Sequence, residues 1–315
     1  MKIKGAKKVL VALSGGVDSA AAAALLVRAG YQVEACHLRL WSEQGERQEA
    51  LSNKCCTLEA QKMARLTAQK LGIPFHLLNL SYHFYCDVVD YFLKSYRRGL
   101  TPNPCIRCNQ LIKFGQLYDY AMANGFDYLA TGHYAKTVTR NAQHVTRNTQ
   151  HATRKTQRVA CCLLRARDPQ KDQTYFLYNL TQGQLKHVLF PIGDYLKSEV
   201  REMAKKFGLP VAERPESQEI CFIPENNYRL FLARYLKLIS GEVVDQKGEV
   251  IGQHFGLPLY TSGQRHGFAL KKSHGGPYFV IKKDILKNRL IVVSRAAAST
   301  KNFFIKDLHL INPQS

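Results

Sequence analysis

Apolar runs alternating with amphipathic stretches organise the first two thirds of the chain. Lys8–Leu13 (KVLVAL) is a short apolar run that stops at Ser-Gly-Gly, and it predicts a buried strand. Val17–Arg28 is alanine-rich and halts at Gly30, which predicts a helix with a glycine close behind its end. Val33–Leu38 and Phe75–Leu80 predict further strands. Cys56–Leu71 between them predicts a helix, closed by Gly72 with Pro74 beyond. His83–Arg98 and Leu111–Asn124 predict helices, and Tyr128–Thr131 a short strand. Strands alternating with helices imply an α/β fold with a parallel sheet covered on both faces.

Two stretches depart from this pattern. Residues 140–158 hold a seven-residue repeat (NAQHVTR, NTQHATR, then a decayed KTQR) with five Lys/Arg and no acid. Such low-complexity sequence cannot bury a core. It reads either as a basic arm for RNA or as an expanded surface hairpin, since lengthening a loop costs little. After a helix predicted at Tyr228–Ile239, the pattern turns to short β-rich pieces separated by glycine (GEVVD, GEVIG, PYFVI, LIVVS). These predict a small β domain or barrel.

Composition adds a class of partner. The 315 residues exceed one typical core, and 45% hydrophobic residues are enough to fill two or three. The 45 Lys+Arg against 24 Asp+Glu leave a net charge of +21, a field that attracts polyanions such as nucleic acid. The N-terminus lacks a signal-peptide core and no segment reaches membrane-spanning length, so no membrane partner is expected. Nine cysteines in a chain of that kind point to a reducing cytoplasm, where thiols serve catalysis or metals more than disulfides.

Ser14-Gly15-Gly16-Val17-Asp18-Ser19 lies between the first strand and the first helix. Glycines let backbone approach a phosphate, and the helix start offers free N–H groups and a positive dipole end. Ser14 and Ser19 add hydroxyls, and Asp18 is placed to hold Mg²⁺ or to cap the helix. No lysine follows the glycines and no G-x-G-x-x-G occurs, so neither common nucleotide fingerprint fits.

Cys105 and Cys108 follow the stiff Thr101-Pro102-Asn103-Pro104 approach, about one turn apart and just ahead of the helix predicted from Leu111. Arg107 and a helix N-terminus favour a thiolate there. C-x-x-C reads as a redox pair, half a zinc site or part of an iron–sulfur site; no second C-x-x-C completes a zinc site. Cys221, in ESQEICFIP (216–224), is by itself as ordinary as a core cysteine.

Together SGGVDS (14–19), the Trp41 region, Cys55-Cys56, TPNPCIRCNQLIKFG (101–115), ATGHYA (130–135), KDQTYFL (171–177), ESQEICFIP (216–224) and YTSGQRHGFAL (260–270) resemble the tRNA-specific 2-thiouridylase (MnmA) family of the PP-loop ATP pyrophosphatases. The resemblance covers nearly the whole chain in order. It implies a PP-loop (adenine nucleotide hydrolase-like) domain over 1–228 carrying the 140–158 insertion, a small central domain over 229–276, and an incomplete β domain over 277–315. ATP is expected at Ala12, Leu13, Ser14, Gly15, Gly16, Val17, Asp18 and Ser19, with Leu38 and Gly132 lining the pocket. Cys108 matches the family nucleophile, and Cys221 the carrier of a persulfide supplied by a sulfur-donor protein. Asn103, Pro104, Cys105, His133, Lys171, Asp172 and Gln173 match positions that contact tRNA. The implied reaction is ATP-dependent 2-thiolation of the wobble uridine.

Two departures follow from the same resemblance. Many members carry Asp where Cys105 stands, and a thiol of pKa ~8.5 is a poorer acid/base at neutral pH. Three thiols, Cys105, Cys108 and Cys221, raise the alternative of an iron–sulfur cluster that carries sulfide. The family's last barrel also continues beyond the segment matching Asp307–Ser315. That implies either a truncated, inactive tRNA-binding relic or an enzyme with a reduced tRNA grip. Another PP-loop activity of the amidotransferase type is disfavoured, because no glutaminase domain is present.

Overall fold

The opening apolar run becomes the middle strand of a sheet in the computed structural model, which describes residues 6–43, 57–142, 158–215, 220–223, 227–271, 277–298, 305 and 308–311. The expectations that fall on Cys55-Cys56, most of the 140–158 repeat, 216–219 and the chain end from 312 lie outside these residues. The chain forms two units: Met1–Tyr85, Cys105–Phe222 and His309–Ser315 make one, and Cys86–Pro104 and Ile223–Leu308 the other.

The first unit holds strands β1 (Lys8–Ala12), β2 (Gln32–Arg39), β3 (Phe75–Asn79), β4 (Tyr128–Ala130), β5 (Ala135–Ala142), β6 (Arg158–Arg165) and β7 (Val188–Leu189). Five of them form one sheet in the order β3-β2-β1-β4-β7, with every pair parallel. β1 reads as an unbroken apolar run because both of its faces are covered. Val9 and Val11 pack with Leu26, Ala64 and Ala68, and Leu10 packs with Phe114, Leu117 and Leu129. β5 and β6 form a separate antiparallel ladder from Ala135↔Arg165 to Ala142↔Arg158, so the repeat is bracketed by a hairpin.

Helices among the described residues are α1 (Val17–Arg28), α2 (Leu58–Leu71), α3 (Ser81–Phe84), α4 (Tyr91–Arg97), α5 (Pro104–Arg107), α6 (Tyr118–Ala123), α7 (Gln182–Leu185), α8 (Lys197–Lys206) and α9 (Tyr228–Tyr235). α1 is buried on nearly all sides by its alanines, whose small side chains let α8 pack close to it. α2 starts at Thr57, whose hydroxyl accepts the Ala60 N–H at 2.8 Å, and ends at left-handed Gly72 (φ 65°). Two boundaries differ from expectation. The helix expected over 83–98 is composite, with a π-helical stretch at Tyr85–Asp90 between α3 and α4. The helix expected from Leu111 begins at Pro104 and continues as a π-helical stretch, Cys108–Leu117. Proline suits a first helical position because the N–H it lacks has no partner there anyway.

The second unit is built on β8 (Gly241–Val244), β9 (Val250–His254), β10 (Ala269–Leu270), β11 (Tyr278–Asp284) and β12 (Arg289–Ser294), in the order β10-β9-β8-β12-β11. The boundary expected at 276/277 falls inside this single sheet. Phe92 of α4 packs on Phe231 of α9 with ring centroids 6.2 Å apart. Buried Tyr260 donates its hydroxyl to the Gly267 carbonyl at 2.5 Å and accepts the Phe255 N–H at 3.2 Å. Tyr260→Phe would strand both partners, and we expect a loss of about 1–3 kcal/mol in denaturant unfolding. An unchanged midpoint would show that the hydroxyl is not needed. No helix of the described residues is long and apolar enough to cross a membrane.

Candidate active site

Strand order places the site. β2 and β3 lie to one side of β1, and β4 to the other. The connections leaving β1 and β4 therefore diverge at the carboxyl ends of two neighbouring parallel strands, where open α/β sheets form their ligand crevice. Ser14–Gly16 leaves β1 there, and Thr131–Tyr134 leaves β4.

The two loops touch through glycine. At Gly132 a Cβ would lie 2.6 Å from the Ser19 nitrogen, so no other residue lets β4 approach the start of α1 so closely. Gly15 is left-handed (φ 78°) and lies against the Ala60 carbonyl of α2. The Ser14 N–H donates to Ser19 Oγ at 3.2 Å, and Ser19 Oγ donates to the Gly16 carbonyl at 3.1 Å. These bonds close the loop on itself ahead of α1. Ala12 ends β1, Leu13 is buried, and Val17 starts α1 inside the core; half-buried Leu38 is on the adjacent strand.

His37 supports the loop from beneath. Its Nδ1 lies 2.7 Å from the Leu13 carbonyl, an acceptor only, so Nδ1 carries the proton. Burial lowers its pKa, partly offset by that bond, and keeps the ring neutral.

Asp18 takes neither expected role. It makes no capping bond to α1. Instead Lys197 Nζ meets its two oxygens at 2.6 and 2.8 Å, and the Tyr134 hydroxyl donates to Oδ1 at 2.9 Å. With both oxygens held by an ammonium, the carboxylate is not open to Mg²⁺ in this arrangement, and no step is routed through a magnesium ion there. Arg214 also reaches the loop, donating to the Gly15 carbonyl at 2.8 Å. Sequence reasoning missed Lys197, Tyr134 and Arg214. The signal for Lys197 was a lysine in the first helical turn, where the dipole disfavours a cation.

The positions matched to tRNA contact divide by exposure. His133 is only 7% exposed and packs between Phe114 and Phe190. Lys113 Nζ, a donor only, lies 3.4 Å from its Nε2, so Nδ1–H donates to Thr131 Oγ1 at 2.8 Å. Burial first, then Lys113, lowers its pKa well below the ordinary value. A neutral, buried ring positions the β4 loop and does not fit direct RNA contact. Asp172 is spent on the Ala166 N–H (2.9 Å) and the Thr174 hydroxyl (2.6 Å), and Gln173 on the Tyr134 N–H (2.9 Å). Asp172 staples its own loop, and Gln173 ties that loop to the one leaving β4. Lys171 is half-buried beside them. Asn103 and Pro104 group with the second unit, and Cys105 with the first.

Cys105 sits exposed in the first turn of α5, and Cys108, 8% exposed, begins the π-helical stretch. Neither precedes the helix as expected; Cys105 alone keeps the first-turn position. That stretch is anchored by Asn109, which donates to the Phe176 carbonyl at 3.0 Å, and by Gln184, which donates to the Phe114 carbonyl at 2.6 Å. π-helical insertions recur at functional sites. Cys221 is half-buried, and its neighbour Phe222 lies edge-on to Phe84 at 5.8 Å. Phe84 ends α3, which packs on the stretch that Cys108 begins. α3 thus touches both the stretch that Cys108 begins and the residue after Cys221. Among the described residues, no group of three or more His, Cys, Asp or Glu is arranged to hold a metal ion. Cys105, Cys108 and Cys221 therefore do not fit a cluster as placed, and no step is derived through one.

Residues 7–225 match the family described as tRNA methyl transferase HUP domain, and residues 229–294 the tRNA methyl transferase PRC-barrel domain. A Carboxydothermus hydrogenoformans protein called tRNA-specific 2-thiouridylase MnmA is 42% identical over 313 residues, 99% of this chain and 81% of that protein. The chain belongs to the MnmA family. A Chloroflexus aurantiacus MnmA is 46% identical over 303 residues, 95% of this chain and 78% of that protein. The parallel sheet with its helices and the following β domain agree with the two MnmA family domains. Among solved structures, a 4-thiouridine synthetase–RNA complex with bound ATP overlaps 72% of this chain and 50% of that one, at a TM-score of 0.41 and 16% identity. A likeness that loose carries no argument about the site.

Proposed function

We propose that this chain is a tRNA-uridine 2-sulfurtransferase that uses ATP to replace the carbon-2 oxygen of the wobble uridine with sulfur. The observation that carries the reading is the near-full-length likeness to 2-thiouridylases, which extends through both the glycine loop and the two cysteine segments. The family description speaks of methyl transfer. A glycine loop at a sheet crevice and two cysteine segments suit adenylation and sulfur transfer better.

The residues divide the work as follows. The Ser14–Ser19 loop and the start of α1 receive the triphosphate, while Leu38 and Gly132 border the nucleotide. The target base leaves its stack to reach the site. Its carbon-2 oxygen attacks the α-phosphorus, pyrophosphate leaves, and the oxygen becomes part of an AMP leaving group. The terminal sulfur of a Cys221 persulfide attacks carbon 2 and AMP departs. The Cys108 thiolate then attacks the Cys221 sulfur, releasing the thiouridine and leaving a Cys108–Cys221 disulfide. A thiol reductant restores both cysteines, and a persulfide donor protein reloads Cys221.

The test is mass spectrometry of tRNA after incubation with ATP, Mg²⁺, a sulfur source and reductant. The expected product has one oxygen replaced by sulfur, with AMP and pyrophosphate formed in equal amounts. Sulfur-free tRNA from folded, ATP-binding protein would overturn the proposal.

A further inference from the structure

The loop after β1 has glycines and hydroxyls but no lysine of its own, and the structure supplies one from 179 positions downstream. Lys197 opens α8, with its backbone N–H held by Asp168 Oδ2 at 3.0 Å. Its ammonium turns away from solvent, with the side chain 11% exposed, and ends on both oxygens of Asp18 and 5.8 Å above the Tyr134 ring. A cation gains nothing from the positive end of a helix. Its location is explained by what it faces, which is the first turn of α1 and the loop that closes it.

We propose that Lys197 is the phosphate-binding cation of this loop, held ready by Asp18 and handed to the nucleotide's phosphates on binding. The inference rests on the reading of the loop as the ATP site. An ammonium has three donors, and the two spent on Asp18 can be exchanged for phosphate oxygens of the same charge type. A second nearby cation, Arg214, is committed to the Gly15 carbonyl and lies 3.9 Å from Glu59, so it shapes the loop. Tyr134 retains Asp18 through its hydroxyl when the ammonium leaves. Asp18 thus competes with phosphate for one lysine, and an empty loop carries no unpaired buried cation.

Calorimetric titration of the full chain with ATP, adenosine and inorganic pyrophosphate tests this. Lys197→Ala is expected to weaken ATP and pyrophosphate binding by about tenfold to a hundredfold, the scale of one charge-assisted hydrogen bond, and to leave adenosine unchanged. Lys197→Arg should recover part of the loss. Asp18→Asn should tighten metal-free pyrophosphate binding, because the competitor is gone. The double variant Asp18→Asn/Lys197→Met leaves no unpaired charge and controls for folding; it should bind adenosine but not pyrophosphate. Unchanged pyrophosphate affinity in Lys197→Ala, or an equal loss for adenosine, would overturn the inference. Wild-type protein that binds neither ATP nor pyrophosphate would refute the ATP-site reading itself.

Discussion

Replacing Cys221 by alanine is expected to abolish sulfur transfer, by at least about a thousandfold or ~4 kcal/mol of barrier, with ATP and tRNA binding retained. The side chain is half-buried and alanine is a small change, so the fold should tolerate it. Without a small thiol in the assay, Cys108→Ala should be as inactive in turnover but for a different reason. Its Cys221 can still be loaded, and persulfide attack can still occur, yet nothing on the protein resolves the resulting Cys221–S–S–RNA adduct. A covalent protein–RNA species should therefore accumulate in Cys108→Ala and be released as thiolated tRNA by an added small thiol. Cys221→Ala should show no adduct and no rescue. Because Cys108 is 8% exposed, its truncation also leaves a small void, with a cost of about 1 kcal/mol. Thermal unfolding separates that from chemistry. Normal thiolation by both variants would end the two-cysteine mechanism.

Cys105 offers a graded contrast. It is exposed in the first turn of α5 and is not grouped with two other ligands, so Cys105→Asp tests an acid/base role without disturbing a metal set. Its position two residues into a helix also suits a carboxylate electrostatically. The sulfur path proposed through Cys108 and Cys221 does not require it.

What the sequence made legible were features with a local cause. β1 was legible because burial on both faces removes polar residues from the run, and α2 because a threonine cap and a left-handed glycine bound it. The glycine loop was legible because only glycine permits its close approaches. What stayed hidden depended on pairs far apart in sequence. The Lys197–Asp18 pair is invisible until α8 docks on α1. The neutrality of His133 comes from Phe114, Phe190 and Lys113, none of them sequence neighbours. The π-helical stretches keep an ordinary helical pattern of apolar residues, so periodicity named a helix but not its winding, and Pro104 read as a barrier where it is a first helical residue. The hydrogen bonds of Asp172 and Gln173 to the Ala166 and Tyr134 N–H groups were likewise hidden, because each depends on how the loops fold back on one another.

Gly132→Ala should dismantle the nucleotide loop. The added methyl carbon would lie 2.6 Å from the Ser19 nitrogen, 2.7 Å from the Asp18 carbonyl carbon and 2.9 Å from the Ser19 Cα. These are backbone atoms of the first turn of α1, not flexible side-chain ends. α1 cannot retreat, because Ala20–Ala24 are buried at 0–2% exposure against the sheet and α8. Either the β4 loop moves out or α1 loses its first turn, and both separate Gly132 from the Ser14–Ser19 loop. Overpacking of this kind costs about 1–3 kcal/mol, so the unfolding midpoint should drop while ATP affinity falls by more than about tenfold. Gly183 is the control. It lies in α7 without a left-handed backbone, and a methyl added there would have Thr181 Oγ1 as its nearest foreign atom, at 3.8 Å. Gly183→Ala should therefore stabilise the protein slightly, by up to about 1 kcal/mol, through better helix propensity, and leave ATP binding alone. The opposite signs of two identical chemical changes isolate the contact at Gly132 as the cause. Gly132→Ala with wild-type ATP affinity would show that the close approach of β4 to α1 does not hold the loop.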